Sequence, residues 1–488
     1  MRLCLCLSLL ALGASCLLAA ESPLQWSSDP HRNMRVQAED LPAEIGEQNQ
    51  LWSLELGGGR FFNVPTVIGD RLYCGMDGKS LPERPEGRPR AGFLCVDVAS
   101  GEPLWQWSGE ESSGYGISDV PIIDGDRIYF RSGDRLFCLS TEGEELWSRP
   151  TGQAFYGTQM HGASGVGLII GEHWWIPTGH GSGSDDHYWE MNGFERPWHP
   201  NVIVLDTTTG DLVAQDDVVV PAFQHGQWSS LSSAVIDGRQ LVFWPDSAGW
   251  VHAFAAPASW GSDAAPAILE HVWWLDANPA SYRQTEDGKP MPYSAYGIGP
   301  GSRSEGWCEM VSAPTYFDGR LYVALTRDVH YSSKHKEDRR RYIGNGGLVC
   351  IDPSGTGDVT ASHKLWTNTE LNRTFCTPSI SEEGLLFIAD HAGWLNCFDA
   401  VSGERLWQGD IHSNMWNWSQ VLADGKVYVL NEQKDFFVFE ADRDGGLLFH
   451  TELDRPNNPA VGATHGLLIV GTGKTLAAYT GPGSSFAE

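Results

Sequence analysis

Basic residues are scarce in this chain. Its 488 residues include 33 Lys and Arg against 62 Asp and Glu, a formal net charge of −29. A surface of that sign repels phosphate backbones and anionic headgroups, which argues against nucleic acid and membrane surfaces as partners. Long apolar runs are missing after residue 20, so no later segment is suited to span a bilayer. Paired-cysteine motifs are missing as well. None of the ten cysteines forms Cys-x-x-Cys or the haem-attachment sequence Cys-x-x-Cys-His. No nucleophile elbow, phosphate loop or dinucleotide fingerprint occurs in its required context. Gly57-Gly58-Gly59 follows a strand-like run, but no helical pattern follows it.

What is present begins with an export signal. Arg2 supplies the positive start, Leu3 to Leu18 the apolar core, and Ala19-Ala20 the small residues before cleavage. The expected location is the periplasm or the medium. Acylation at Cys16 is the weaker alternative, because Gly13 stands where a lipoprotein box carries Leu. The expected organisation is a signal at 1–20, a lead-in at 21–48, a repeat domain at 49–480 and a tail at 481–488.

The repeat domain is defined by one recurring phrase, apolar-Asp-x-x-x-Gly-x-x-x-Trp. Its clearest copies run from Cys95-Val96-Asp97 through Gly101 to Trp105, and from Cys397-Phe398-Asp399 through Gly403 to Trp407. Each copy follows a strand-like run opened by Asp-Gly and a basic residue, as in Asp124-Gly125-Asp126-Arg127 and Asp318-Gly319-Arg320. Aligned on these turns, the units span 64–105, 120–147, 166–215, 232–276, 313–366, 377–407, 419–450 and 459–479. Each reads as four short antiparallel strands with alternating apolar residues. A unit repeated in this way signals a ring or solenoid. The last unit lacks a fourth strand, and Leu51–Leu56 is an orphan strand at the other end of the domain. The predicted fold is all-β: an eight-bladed propeller of four-stranded antiparallel blades, closed by that N-terminal outer strand on the C-terminal blade.

Two packing expectations follow. Trp105, Trp147, Trp366 and Trp407 should be largely buried between adjacent blades. Cys95, Cys138, Cys350 and Cys397 share one slot of the repeat, filled elsewhere by Val204, and should be buried packing thiols.

Strand direction alternates within a blade. First-to-second and third-to-fourth turns therefore share one face, and second-to-third loops share the other with the blade-to-blade connections. The inserts at 76–91, 179–200, 277–306 and 327–346 all fall in the second class, while the first class reads as minimal turns. The loop-rich face is the expected working face, and the opposite face is expected to be plain.

These repeats resemble the pyrroloquinoline-quinone (PQQ) type of propeller repeat, closest to non-catalytic or uncharacterised secreted bacterial members. The lead-in Gln25-Trp26-Ser27-Ser28-Asp29-Pro30-His31-Arg32-Asn33-Met34 is similar to the start of such secreted propellers. The resemblance covers two kinds of protein, quinoprotein alcohol dehydrogenases and non-catalytic scaffolds of outer-membrane assembly. The dehydrogenases carry adjacent cysteines beneath PQQ and a calcium ion held by Glu, Asn and Asp. This chain has no adjacent cysteines, and that trio has no residue-by-residue match. No catalytic residue, metal site or cofactor is therefore assigned, with PQQ and calcium kept as the alternative.

Residues just before each first strand should ring the mouth of the channel. His161, His225, Trp228, Glu309, Arg373 and Trp416 are the candidate ligand residues there, offering a charged clamp between aromatic walls. The competing view is that these groups only satisfy one another and channel water. Residues 179–187 hold metal-type ligands in no established spacing, and 334–341 form a basic run in an acidic chain. Both read best as solvated loops. The function read from the sequence is an exported binding or scaffold module, expected to be monomeric, for a protein or a small polar ligand. The alternative is a secreted oxidoreductase or other enzyme at the propeller mouth.

Overall fold

The computed structural model describes residues 29–486 except 60–62, 84–90, 110–116, 118–119, 133–134, 151–164, 180–199, 220–226, 285–286, 290–307, 309, 327–345, 414, 416–418 and 455–459. The described residues form eight small, mainly antiparallel sheets, five drawn from one sequence unit each and three that take a further strand from another part of the chain. Gln50–Glu55 is the outer strand of the last sheet and pairs antiparallel with Thr475–Thr480. The innermost strand of that sheet, Ala460–Thr464, neighbours Thr66–Ile68 of blade 1.

The Asp-Gly turns follow from backbone sterics. Asp424 and Gly425 both have positive φ, 50° and 67°. That is the two-residue hairpin whose twist matches the flanking strands. The recurring Asp of the longer phrase is also a turn former. Asp97 Oδ1 accepts from the backbone N–H groups of Ala99 (3.1 Å) and Ser100 (2.8 Å), and Asp399 repeats this with Val401 and Ser402.

Expected alternation holds only at the blade rims. Leu447–Glu452, a fourth strand, alternates exposed and partly buried residues. Second and third strands such as Leu385–Ala389 and Gly346–Ile351 are buried at every position. Both faces of a middle strand pack on neighbouring blades, so it needs a continuous apolar run. The four slot cysteines are fully buried there, as expected.

The docking tryptophans are mostly covered but not fully buried. Each packs on the turn glycine of the next blade and also against core residues, as Trp105 stacks on Phe93 with ring centres 5.7 Å apart. A Cβ on Gly143, Gly210, Gly403 or Gly445 would fall within 3 Å of the ring of Trp105, Trp147, Trp366 or Trp407 respectively. Each indole N–H also donates to a carbonyl of that next blade, from Trp105 to Thr141 (3.0 Å), and from Trp147 to Thr207 (3.0 Å).

The turn-bearing face is not plain throughout. In blades 4 and 5 the third-to-fourth connections, 256–269 and 352–363, are long. Each adds a two-residue parallel strand to the preceding blade: Ala267–Ile268 beside Leu212–Gln215, and Gly357–Asp358 beside Glu270–Asp276. Blade 3 shows why. Its docking position is Ala214, eight residues after Asp206, and Ala267 pairs directly against it. An added strand fills the seam where the indole is missing.

The lead-in is the largest departure from expectation. Residues 29–42 run down the axis of the ring. Pro30, Arg32, Asn33 and Met34 make backbone or side-chain hydrogen bonds to Ser233, Leu231, Ile380 and Pro378, at or beside the inner strands of blades 4 and 6. Arg35 bridges Leu422 of blade 7 in parallel, and Glu39 accepts from the N–H of Gly466 in blade 8. Met34, Val36, Ala38 and Leu41 are buried among Val120, Val166, Ala313, Val421 and Val461, one residue from each of five blades. The central channel expected from the sequence is thus filled by the chain itself.

Candidate functional site

The axial segment forms the floor of the loop-rich mouth. Arg32 is fully buried, and its guanidinium donates to the carbonyls of Leu231 (2.9 Å) and Gly167. Burial pushes its pKa down to about 10, opposed by Asp29. Asp29 caps the same turn, accepting from the N–H groups of His31 (2.9 Å) and Asn33 (3.1 Å).

Two of the six candidate ligand residues lie among the described residues. Arg373, in the connection from blade 5 to blade 6, is 2% exposed, and its Cζ sits 4.7 Å from the Phe375 ring centre. Its carbonyl accepts from the His391 N–H (2.8 Å), and Phe375 meets the His391 ring edge-on. Trp228 is 9% exposed in the connection from blade 3 to blade 4. Its neighbour Gln227 donates to Asn201 (3.2 Å), and Ser229 donates to the Met310 carbonyl (2.5 Å). His161, His225, Glu309 and Trp416 lie outside the described residues, as do the loops 180–199 and 327–345.

Around these two residues the loop-rich ends of the blades carry buried carboxylates. Asp390 takes four donors: the N–H groups of Ala392 and Trp394, and the side-chain amides of Asn372 (2.8 Å) and Asn396 (3.1 Å). Burial pushes its carboxyl up to about 6 although those donors pull it down. Gln408 extends the network by donating to Asn396 (2.7 Å). Blade 4 has the same geometry with other residues. Asp246 lies 3.4 Å from His252 Nε2, and His252 Nδ1 lies 3.1 Å from His271 Nε2. Burial and the neighbouring His252 lower the His271 pKa to about 4.

These networks carry a sequence signal, Asp-x-Ala-Gly-Trp, at 246–250 and again at 390–394. The aspartate closes the second-to-third turn, and the residue six further on, His252 or Asn396, receives its free oxygen.

A third cluster spans blades 6 and 7. Asp435 Oδ1 lies 2.9 Å from His450 Nε2 and 3.3 Å from His412 Nδ1. On the opposite face, a groove of about 910 Å³ opens between residues 35–39 and the first turns of blades 6 and 7. Glu39, Glu382, Glu383 and Asp424 make it acidic, and Arg35 is paired with Glu382 (2.5 Å).

Eight four-stranded blades, tryptophans docked on turn glycines and a ring completed by an N-terminal strand define a propeller of the PQQ-repeat class. The chain belongs to the outer membrane protein assembly factor BamB family, whose profile matches residues 43–170 and 344–485, more than half of its length. The unmatched middle contains Ala267–Ile268, the strand added to blade 3.

Among solved structures, BamB from Moraxella catarrhalis is similar over 88% of this chain and 99% of its own, at 14% identity and a TM-score of 0.55. The computationally designed Ika8 protein is similar over 88% and 99%, at 11% identity and a TM-score of 0.51. Quinohemoprotein alcohol dehydrogenase from Comamonas testosteroni covers 96% of this chain and 81% of its own at 12% identity, with a TM-score of only 0.44. No curated protein matches by sequence. The adjacent cysteine pair that the resemblance ties to PQQ is not matched here. The seven described cysteines are buried, free and non-adjacent in sequence, so the residues do not fit that cofactor.

Proposed function

We propose that this protein is an exported binding or scaffold module that engages a protein or a small polar ligand on its loop-rich face. The observation that carries this reading is the filled axis. With residues 29–42 closing the ring from within, the loop-rich side becomes a floored surface rather than the mouth of a tunnel. The long inserts of the sequence join strand ends on that face, and rigid scaffolds with long loops on one side are suited to partner binding. Family membership supports the same reading, since the family is described as an assembly factor.

The enzyme alternative has one observation in its favour, the Asp246–His252–His271 chain. Its imidazoles, however, are packed against rings. His252 stacks on Trp244 at 5.1 Å, and His271 lies 5.1 Å from Phe254 and 4.9 Å from Trp274. Such groups serve a seam between blades better than a substrate.

The test is site-specific photocrosslinking in the exporting cell, with probes at the exposed Val219 and Gln433 on the loop-rich face and at Asp237 and Asp318 on the other. Recurrent adducts from the first pair alone support the reading. Equal adducts from both pairs, or adducts from the second pair only, overturn it.

A further inference from the structure

We propose that His412, Asp435 and His450 form a binding site for a divalent transition metal, zinc being the best match. The three residues come from three different elements. His412 lies in the connection from blade 6 to blade 7, Asp435 opens the third strand of blade 7, and His450 lies in its fourth strand, Leu447–Glu452. Their ligand atoms all lie within 4.8 Å of one another.

The ligand set and the spacing both fit. Zinc takes imidazole nitrogen and carboxylate oxygen at about 2.0–2.2 Å, so tetrahedral ligand atoms stand about 3.3 Å apart. The two distances to Asp435 Oδ1, 2.9 and 3.3 Å, lie just below and at that value. Two neutral imidazoles and one carboxylate offer a single negative charge, which suits a borderline cation better than calcium or magnesium.

The surroundings hold the ligands in place. Asn431 donates to Asp435 Oδ2 (3.0 Å), which leaves Oδ1 turned toward the histidines. The same amide donates to the Ile411 carbonyl (2.8 Å) and so anchors the residue before His412. His412 itself has a left-handed backbone, φ 61°, and its N–H donates to Asp410 (2.9 Å). His450 lies flat on Phe437 with ring centres 4.4 Å apart, and His412 meets the same ring edge-on at 5.0 Å. Hydrogen-bonded outer residues of this kind orient metal ligands and raise affinity.

The site is also accessible. The Asp435 side chain is 8% exposed, while His412 is 52% and His450 30% exposed. Protein thus closes one side and solvent reaches the other. This leaves a fourth position for water or for a donor from a docked molecule, the open arrangement that three-ligand zinc sites use.

The experiment is metal titration of the purified mature protein after treatment with chelator. Zn²⁺ binding is followed by calorimetry, and Co²⁺ by its visible absorption. The expected result is one equivalent of Zn²⁺ lost at least tenfold in affinity in both His412→Gln and His450→Gln, with His465→Gln on the opposite face unchanged. Because His412 is half exposed, His412→Gln keeps the metal-free melting temperature of the wild type, which separates loss of a ligand from loss of the fold. No stoichiometric binding to the wild type overturns the proposal, and so does binding that both variants retain.

Discussion

The indole of Trp52 lies on Gly101. A Cβ at Gly101 would fall 2.5 Å from the Trp52 ring, and the indole N–H donates to the Val98 carbonyl at 2.9 Å. Trp52 belongs to the N-terminal strand of the last blade and Gly101 to the first. This is the same docking pair that joins other seams, here made between the two ends of the repeat domain. At 8% exposure Trp52 is more buried than Trp105, Trp147, Trp366 or Trp407.

Trp52→Ala is therefore expected to be the costliest of the docking substitutions. It removes a buried ring and loosens the seam on which closure depends, at a cost of about 3–5 kcal/mol. Trp366→Ala, at a ring that is not fully buried, should cost about 2–3 kcal/mol. Urea unfolding of the two variants checks the order, and equal midpoints would show that the Trp52 seam is nothing special.

Turn glycines separate into two groups. Gly403 has φ 74° and a Cβ there would fall 2.6 Å from the Trp366 ring, whereas Gly425 has φ 67° and a Cβ there would meet open space. Gly425→Ala meets only backbone strain, about 1 kcal/mol. Gly403→Ala meets the strain and displaces an indole, about 2–3 kcal/mol in all. Thermal melts of both variants are the measurement.

Arg32 is expected to matter more than its place before the first blade suggests. Arg32→Ala leaves the Leu231 and Gly167 carbonyls without this donor inside the ring, and unpaired buried acceptors cost about 1–3 kcal/mol each. The variant should melt several degrees lower and yield to proteolysis near its N-terminus. Arg35→Ala, whose partner Glu382 is largely exposed, should change stability by less than about 1 kcal/mol.

His271 predicts an acid-sensitive seam. Its pKa falls from the ordinary 6.5 to about 4 in the fold. The unfolded chain takes up its proton near pH 6.5 while the folded chain does not, so stability is lost as pH falls from 6.5 toward 4. Asp390 works the other way over much of that window, since its carboxyl is raised from 3.8 to about 6. Comparing wild type with His271→Gln cancels the Asp390 contribution. The stability advantage of the wild type should shrink from pH 7 to pH 4.5, and a constant difference across that range refutes the assignment.

The blades were legible because their signal is local. An Asp-Gly turn, an Asp-bounded loop and a tryptophan recur within each unit, and each does its work within a few residues of its neighbour. The parallel additions at Ala267 and Gly357 were not legible. Two residues carry no periodicity, and at Ala267 the role depends on the indole that blade 3 lacks, whereas Gly357 pairs beside Trp273, an indole that is present. The axial segment did have a signal, since Met34-Arg35-Val36-Gln37-Ala38 alternates apolar and polar residues as a strand does. Its partners lie hundreds of residues away, so the alternation could not say what it packed against. His412, Asp435 and His450 share no spacing motif at all. Only the stacking of one blade on the next brings them together.

The filled axis also sets the order of assembly. Residues 29–42 precede every blade in the chain, yet their partners extend from Gly167 to Gly466. During synthesis this stretch emerges early and stays unsatisfied until the eighth unit exists. Meanwhile each new blade can pair its own strands but has no dry hub to lean on. Contacts of such long sequence separation form late and slowly. Maturation of this wheel therefore waits on seating its axle, and any chain stopped short of the last unit is left as an open arc, exposed to proteases and to aggregation.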